Sequence, residues 1–313
     1  MQKDVPKIIF FGNTNFSSFV LEKLSHFFNI LAVVTNEPKP MGRGRKNSIT
    51  PVHDFSEKKN IPLININDLN DKFFLASLEN LKADFFIVVA YRILPISILK
   101  LPKIGSINLH TSLLPKYRGA APIQRALLNG DKETGVSTFI IDKKVDTGKI
   151  ILQKRIKIYD SDNFEDLEMK MMQEGSSLLR NSIDLIYENR AQLIVQDEAL
   201  ATKAPKITKE EIQINWNESV ELIQNKIRAF SPSPGAYTFL KKKRIKIFAS
   251  SFKLINHNYP ISSVVSAKDQ LIHVACKDGI LMINNLQLEG KKIMSSEEFL
   301  RGNNILGENF SYE

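Results

Sequence analysis

The sequence predicts a doubly wound, mostly parallel α/β sheet followed by a small antiparallel β-barrel. Three observations carry this. Apolar runs of strand length alternate with amphipathic helical patterns up to about Asn189. Apolar periodicity then lapses from Ala191 to Thr208, with Pro205 inside. Beyond it come short strand-like segments separated by turn residues.

Taken in order, Lys7–Phe11 is an apolar strand and Ser17–Phe27 has helical spacing. Ile30–Thr35 is a second strand, and Asn36–Ser48, rich in Pro and Gly, is a loop. Pro51–Lys59 and Asp68–Leu81 read as helices. Asp84–Ala90 is nearly all apolar, as expected of a strand covered on both faces. A strand at Ser106–Leu109, a short helix at Ile123–Leu128 and strands at Val136–Ile141 and Ile150–Ile158 follow. Asn163–Asn189 is a long helix with a possible break at Gly175. After a helix at Ser219–Ala229, the barrel is built from Ala236–Leu240, Ile245–Phe248, Ser262–Ser266, Leu271–Ala275 and Ile280–Leu288. The expected division is an α/β domain over 1–190, a linker over 191–208 and a barrel domain over 209–313.

Composition narrows the class. An apolar fraction of 43% and a charged fraction of 25% over 313 residues are ordinary for a soluble protein of about two domains. The single cysteine, Cys276, excludes a disulfide framework and a Cys-rich metal site. Residues 1–15 show no signal or transit pattern, and the most apolar run, Phe85–Ala90, is too short to span a bilayer. A cytoplasmic, membrane-free setting and a monomer are expected. The first strand-to-helix turn, Gly12–Phe16, has one glycine where a dinucleotide site has a spaced triplet, so NAD(P) is not expected. The net charge of +9 reads equally as solubility or as a polyanionic partner. Its distribution favours the partner: residues 203–253 carry 11 Lys/Arg against 4 Asp/Glu. Lys241, Lys242, Lys243, Arg244 and Lys246 crowd an expected hairpin tip, and Lys39, Arg43, Arg45 and Lys46 lie in the Pro/Gly-rich loop.

The chemistry concentrates in Ser106–Gly119, Ser-Ile-Asn-Leu-His-Thr-Ser-Leu-Leu-Pro-Lys-Tyr-Arg-Gly. Alternation along the strand puts Asn108 and His110 on one face, at a strand end, where an open α/β sheet places its ligands. Asn108 offers an amide donor and His110 a group that titrates near neutrality. A polar turn at Lys144–Gly148 supplies Asp146, a carboxylate able to orient and charge the imidazole. A lone histidine is more often structural, and His26, His53, His257 and His273 have no such neighbours or zinc-ligand spacing.

This ordered set resembles the formyltransferases that use 10-formyltetrahydrofolate, whose motif is Asn-x-His, then Ser-Leu-Leu-Pro, then Asp-x-Gly. Here these are Asn108, His110, Ser112–Pro115, Asp146 and Gly148. Gly119–Gln124, Gly42–Lys46 and Arg228–Phe230 extend the resemblance to the branch acting on methionyl-tRNA, from about Lys7 onward and more thinly after Pro234. The resemblance implies a Rossmann-like catalytic domain, an oligonucleotide-binding-like barrel, 10-formyltetrahydrofolate as co-substrate without metal or NAD(P), and initiator methionyl-tRNA as acceptor. The alternatives within the family are transfer to an amino sugar and hydrolysis of formyltetrahydrofolate. A catalytically silent tRNA-binding protein is disfavoured by the intact Asn108, His110 and Asp146.

Formyl transfer to an amine needs an unprotonated nucleophile, stabilisation of an oxyanion and a proton for the leaving folate nitrogen. Asn108 and protonated His110 are the expected oxyanion donors, with Asp146 behind the imidazole. Ser112, Leu113, Leu114 and Pro115 are expected to line the pterin pocket, with Val88, Ala90 and Tyr91 as a second wall and Ile140, Asp142 and Val145 closing it. Tyr91–Pro95 departs from the family pattern, being one residue shorter with Arg92 in place of a glycine. For tRNA the expected contacts are Arg43, Arg45, Lys46, Lys206, Lys241, Lys242, Lys243 and Arg244; in relatives an arginine at the position of Arg43 enters the acceptor stem. On residues alone, Pro38–Ser48 reads equally as a solvated surface loop. Trp216 is either a base-stacking platform or core.

Overall fold

In the computed structural model, which describes residues 5–41 and 46–312, a seven-stranded sheet organises the first half of the chain. Its order from one edge is Ile150–Lys157, Glu133–Ile140, Gly105–His110, Phe85–Val89, Lys7–Gly12, Asn29–Thr35 and Leu63–Asn65. The last five pair in parallel, and Glu133–Ile140 runs antiparallel to Gly105–His110. The chain builds outward from Lys7–Gly12 on one side, then returns to its other side at Phe85–Val89. That reversal is the topological switch point, where strand C-termini open a crevice for ligands. Every residue of Phe85–Val89 is buried, which explains its uninterrupted apolar run.

One core of this unit gathers Ile9, Phe11, Val34, Phe86 and Val88, with Phe11 and Phe86 ring centroids 5.2 Å apart. Helices Asn15–Ser25, Pro51–Lys58 and Lys72–Asn80 start where Thr14, Thr50 and Asp71 accept hydrogen bonds from backbone N–H groups. Each such cap is worth about 1 kcal/mol. The long helix runs unbroken from Phe164 to Tyr187. Gly175 is not a break: a Cβ there would sit 3.0 Å from the Leu109 side chain, so glycine lets the helix press onto the strand that carries His110.

The chain forms two compact units. One comprises Met1–Gly119, Thr134–Lys157 and Glu168–Lys203; the other Ala120–Glu133, Ile158–Leu167 and Ala204–Glu313. The second unit holds an antiparallel sheet ordered Val264–Ser266, Ile272–Ala275, Gly279–Leu288, Lys243–Leu254, Ala236–Leu240 and Phe310–Ser311. The two ends of that order meet. Val264 N–H donates to Glu308 O at 2.8 Å, and Phe310 N–H to Ser262 O at 3.0 Å. The sheet therefore curls back on itself as a small barrel. Among the elements not legible in the sequence are the closing strand Phe310–Ser311, the helix Ser296–Arg301, fixed by a capping box from Ser295 and Glu298, and the short antiparallel pair Lys39–Met41 and Lys46–Ser48 within the stretch expected as a loop. Trp216 is 2% exposed, stacks on Phe310 at 5.2 Å and donates to Thr238 Oγ1 at 3.0 Å, so it belongs to the core and offers no platform for a base. No helix among the described residues is long and apolar enough to cross a membrane.

The basic hairpin forms as expected, with Leu240 opposite Lys243 and a two-residue turn. Lys241 and Lys242 have φ of 51° and 64°, the left-handed pair of a type I′ turn. Lysine is a poor residue for that conformation. Lys242→Gly is therefore expected to raise stability by about 0.5–1 kcal/mol, read by urea unfolding. An unchanged or lower midpoint would show that the two lysines hold the turn by other means.

Candidate active site

The site residues converge at the C-terminal end of the strand Gly105–His110, one strand from the switch point. Asn108 pairs with Val88 on one neighbour and Phe139 on the other. No protein group among the described residues hydrogen-bonds its carboxamide, which leaves both halves of the amide for a ligand. His110 is 7% exposed. Its Nε2 lies 2.9 Å from Tyr117 O. A carbonyl can only accept, so Nε2 carries a proton and donates it there. Nδ1 is then the ring position left to take up and release a proton, and it faces Asp146 Oδ2 at 3.8 Å. That same oxygen accepts the Gly119 N–H at 2.8 Å. The carboxylate is thus held by the chain segment that also turns the Tyr117 carbonyl towards the imidazole.

Two non-glycine residues adopt left-handed backbone to make this arrangement: Tyr117 with φ 59° and Asp146 with φ 55°. For tyrosine this costs on the order of 1–2 kcal/mol, and for aspartate, which tolerates the region better, less. Behind Asp146 the Asp-x-Gly pattern acquires a steric reason. A Cβ on Gly148 would lie 1.7 Å from Ile140 O. Asp142 Oδ1 accepts from Lys144 N–H at 3.0 Å and Thr147 Oγ1 at 2.7 Å, tying the turn from within.

The loop after His110 is locked by Ser112 and by side chains of the two edge strands beside it. Ser112 Oγ donates to Lys116 O at 2.6 Å, Ser137 Oγ donates to Ser112 O at 2.6 Å, and Gln153 Nε2 donates to Leu114 O at 2.8 Å. Leu114 packs with Phe139 and Ile150. Of the expected pocket residues, Val88, Ser112 and Leu114 are buried, whereas Ala90, Tyr91, Leu113, Pro115, Ile140, Asp142 and Val145 keep accessible surface. Tyr91 lies 5.7 Å from Phe11, and its hydroxyl accepts from Arg92 at 2.9 Å. Burial pushes the Tyr91 phenol up, against the lowering effect of Arg92. Arg92 also donates to Ile66 O at 2.8 Å, so it ties Tyr91 to the loop after Leu63–Asn65.

Sequence reasoning missed Arg118, Gln196, Glu198 and Thr202. Arg118 forms a two-pronged pair with Glu198 at 2.9 and 2.8 Å and donates to Gln196 Oε1 at 3.1 and 2.8 Å. The guanidinium holds the Glu198 carboxyl below its ordinary range. Thr202 Oγ1 accepts from Tyr117 N–H at 2.8 Å. Arg118 lies inside the motif stretch and could have been flagged there. The others sit in a segment without periodicity, where nothing marks an inward-facing residue.

The basic residues expected to meet tRNA are solvent-facing where described. Lys206, Lys242 and Lys243 are exposed, Lys241 Nζ lies 3.0 Å from Glu308, and Arg244 lies 3.8 Å from Glu289. Arg43 and Arg45 fall outside the described residues, and of Lys46 only the backbone, in a short strand, is described. Burial pushes the Cys276 thiol up to about 12, so it offers no thiolate nucleophile near neutrality.

An amide donor, an imidazole and a carboxylate thus meet at the C-terminal edge of a doubly wound sheet, an arrangement with the groups that acyl transfer to an amine requires. Residues 6–183 match the Formyl transferase family and residues 206–304 match Formyl transferase, C-terminal domain, so the chain belongs to the formyltransferase family. It is 42% identical over 310 residues to the methionyl-tRNA formyltransferase of Dictyoglomus turgidum, covering 97% of this chain and 99% of that one. It is 43% identical over 300 residues to the methionyl-tRNA formyltransferase of Thermodesulfovibrio yellowstonii, covering 95% and 96%. Among solved structures, the N-formyltransferase from Helicobacter canadensis, in complex with folinic acid and dTDP-3-aminofucose, shares the fold at a TM-score of 0.67. That likeness carries 23% identity and covers 90% of this chain and 98% of that one.

Proposed function

We propose that this protein transfers the formyl group of 10-formyltetrahydrofolate to the α-amino group of methionyl-tRNA, giving N-formylmethionyl-tRNA for translation initiation in the cytoplasm. The observation that carries the reading is the His110–Asp146 pair beside an unengaged Asn108 carboxamide, in a formyltransferase-family chain. The relatives at 42% and 43% identity name the acceptor. The free amine attacks the formyl carbon, and Asn108 donates to the oxyanion that forms. His110, with Nε2 pinned on Tyr117 O, handles protons at Nδ1. Asp146 balances the imidazolium charge. When the bond from carbon to the folate nitrogen breaks, that nitrogen takes the proton that the attacking amine gives up, passed by way of His110, and the new amide keeps the formyl group. The α/β unit carries this chemistry. Ser112–Pro115, Val88, Ala90, Tyr91, Ile140, Asp142 and Val145 form the folate site, and the lysines of the barrel hairpin, with Lys206, Arg43, Arg45 and Lys46, meet tRNA phosphates.

The test is transfer from 10-formyltetrahydrofolate to charged initiator tRNA, with elongator Met-tRNA and a nucleotide-linked amino sugar as competing acceptors. Formylation of Met-tRNA is expected, with affinity falling steeply as salt rises, because released counterions drive phosphate contacts. Transfer to the sugar alone, or hydrolysis of the folate alone, would overturn the assignment.

A further inference from the structure

The segment from Ile194 to Thr202 lies in the stretch expected as a linker, yet it braces both sides of the His110–Asp146 pair. Ile194 adds an antiparallel bridge to Ile150 at the sheet edge. Thr202 takes the Tyr117 N–H through its hydroxyl and the Arg118 N–H through its carbonyl, the latter at 2.9 Å. Between these anchors Gln196 is 6% exposed. Its Nε2 donates to Asp146 O at 2.9 Å and Gly148 O at 2.8 Å. Its Oε1 accepts from Arg118 twice. Two carbonyls can only accept and a guanidinium can only donate, so the amide has one orientation that satisfies all its partners.

We propose that Gln196 is a positioning residue for Asp146, holding its left-handed backbone so that the carboxylate stays between the Gly119 amide and His110 Nδ1. The inference rests on the proposed function for its kinetic readout. Arg118 acts one step further back: anchored on Glu198, it fixes the oxygen half of the amide and so aims the nitrogen half at the Asp146 turn. Those two donated bonds hold the turn from its outer side against relaxation of a left-handed conformation that is uncommon for an aspartate. Suppose they are lost. A small displacement of the carboxylate would then be felt as lost transition-state stabilisation, not as lost substrate affinity.

Gln196→Glu is nearly isosteric. The new carboxylate still accepts from Arg118 but has no proton for the two carbonyls. We expect kcat to fall about 10- to 100-fold, with KM for both substrates changed by less than about threefold. In an Asp146→Ala background the same substitution should cost less than about twofold, because its effect runs through Asp146. Hydrogen exchange at the Gly119 amide, which Asp146 Oδ2 protects, should accelerate about tenfold or more in Gln196→Glu. Gln196→Ala, which removes the amide without adding charge, serves if Gln196→Glu does not fold. Wild-type kcat in the folded variant, an equal loss with and without Asp146, or unaltered Gly119 exchange would each overturn the proposal. If the wild type fails to formylate Met-tRNA, the proposed function falls, and Gly119 exchange still decides whether Gln196 positions Asp146.

Discussion

His110→Ala is expected to lower kcat for formyl transfer by about 100-fold or more while leaving the fold intact. The size follows from what the ring does. It is buried, its Nε2 is committed to Tyr117 O at 2.9 Å, and its Nδ1, the proton-handling atom of the proposed mechanism, faces Asp146 at 3.8 Å. Alanine removes the acid–base group and leaves the Tyr117 carbonyl to find water in the space vacated, a modest structural cost beside the catalytic one. Asn108→Ala and Asp146→Ala should fall in the same range. Losses among the three should be less than additive, because the groups act on one transition state. The measurement is single-turnover transfer to Met-tRNA together with far-UV circular dichroism. Near wild-type turnover for His110→Ala would remove the imidazole from the mechanism.

Gly148→Ala should be comparably damaging, for a steric reason. With a Cβ placed 1.7 Å from Ile140 O, the contact is with backbone, which cannot swing aside as a side-chain tip would. Either the strand ending at Ile140 or the Asp146 turn has to move. The shorter turn is the softer of the two, and moving it displaces Asp146 O and Gly148 O from Gln196. A stability loss of about 2 kcal/mol or more is expected from the strain, with a kcat loss of about 100-fold as the carboxylate shifts. Gly105→Ala is the matched control. Nothing lies within 4 Å of a Cβ there, so both stability and turnover should be preserved. If Gly148→Ala also kept wild-type turnover and unfolding midpoint, the steric reading of the Asp-x-Gly pattern would be wrong.

The parts of the fold that could be read in advance are those where burial writes a local period into the chain. Phe85–Val89 announced itself by an apolar run because both of its faces are covered. Ala236–Leu240 was legible only as a short segment between turn residues, since its buried face carries Thr238 and its other face Tyr237 and Phe239. The helix expected over Ser219–Ala229 forms over Val220–Ala229, with Ser219 as its cap. Gly175 misled the reading, since the same residue signals a break when seen alone and a close approach when Leu109 is known to be opposite. Trp216 was ambiguous for a similar reason. Whether a tryptophan stacks on a ligand or on Phe310 depends on a strand that pairs from the far end of the chain.

By itself the sequence determined the class of the protein: an alternating α/β half, a strand-rich half, and polar residues ordered as Asn108, His110 and Asp146 about strand ends. These are properties of neighbouring residues, set by helix and strand periods and by turn chemistry. Only the tertiary structure decided how the imidazole is oriented and what holds the carboxylate. Gln196 lies 50 residues from Asp146, and Thr202 lies 85 residues from Tyr117. Their side chains acquire partners through contacts closed by the whole sheet. A hydrogen bond of that range has no period and no local composition, so it leaves no pattern in the chain until the chain has folded.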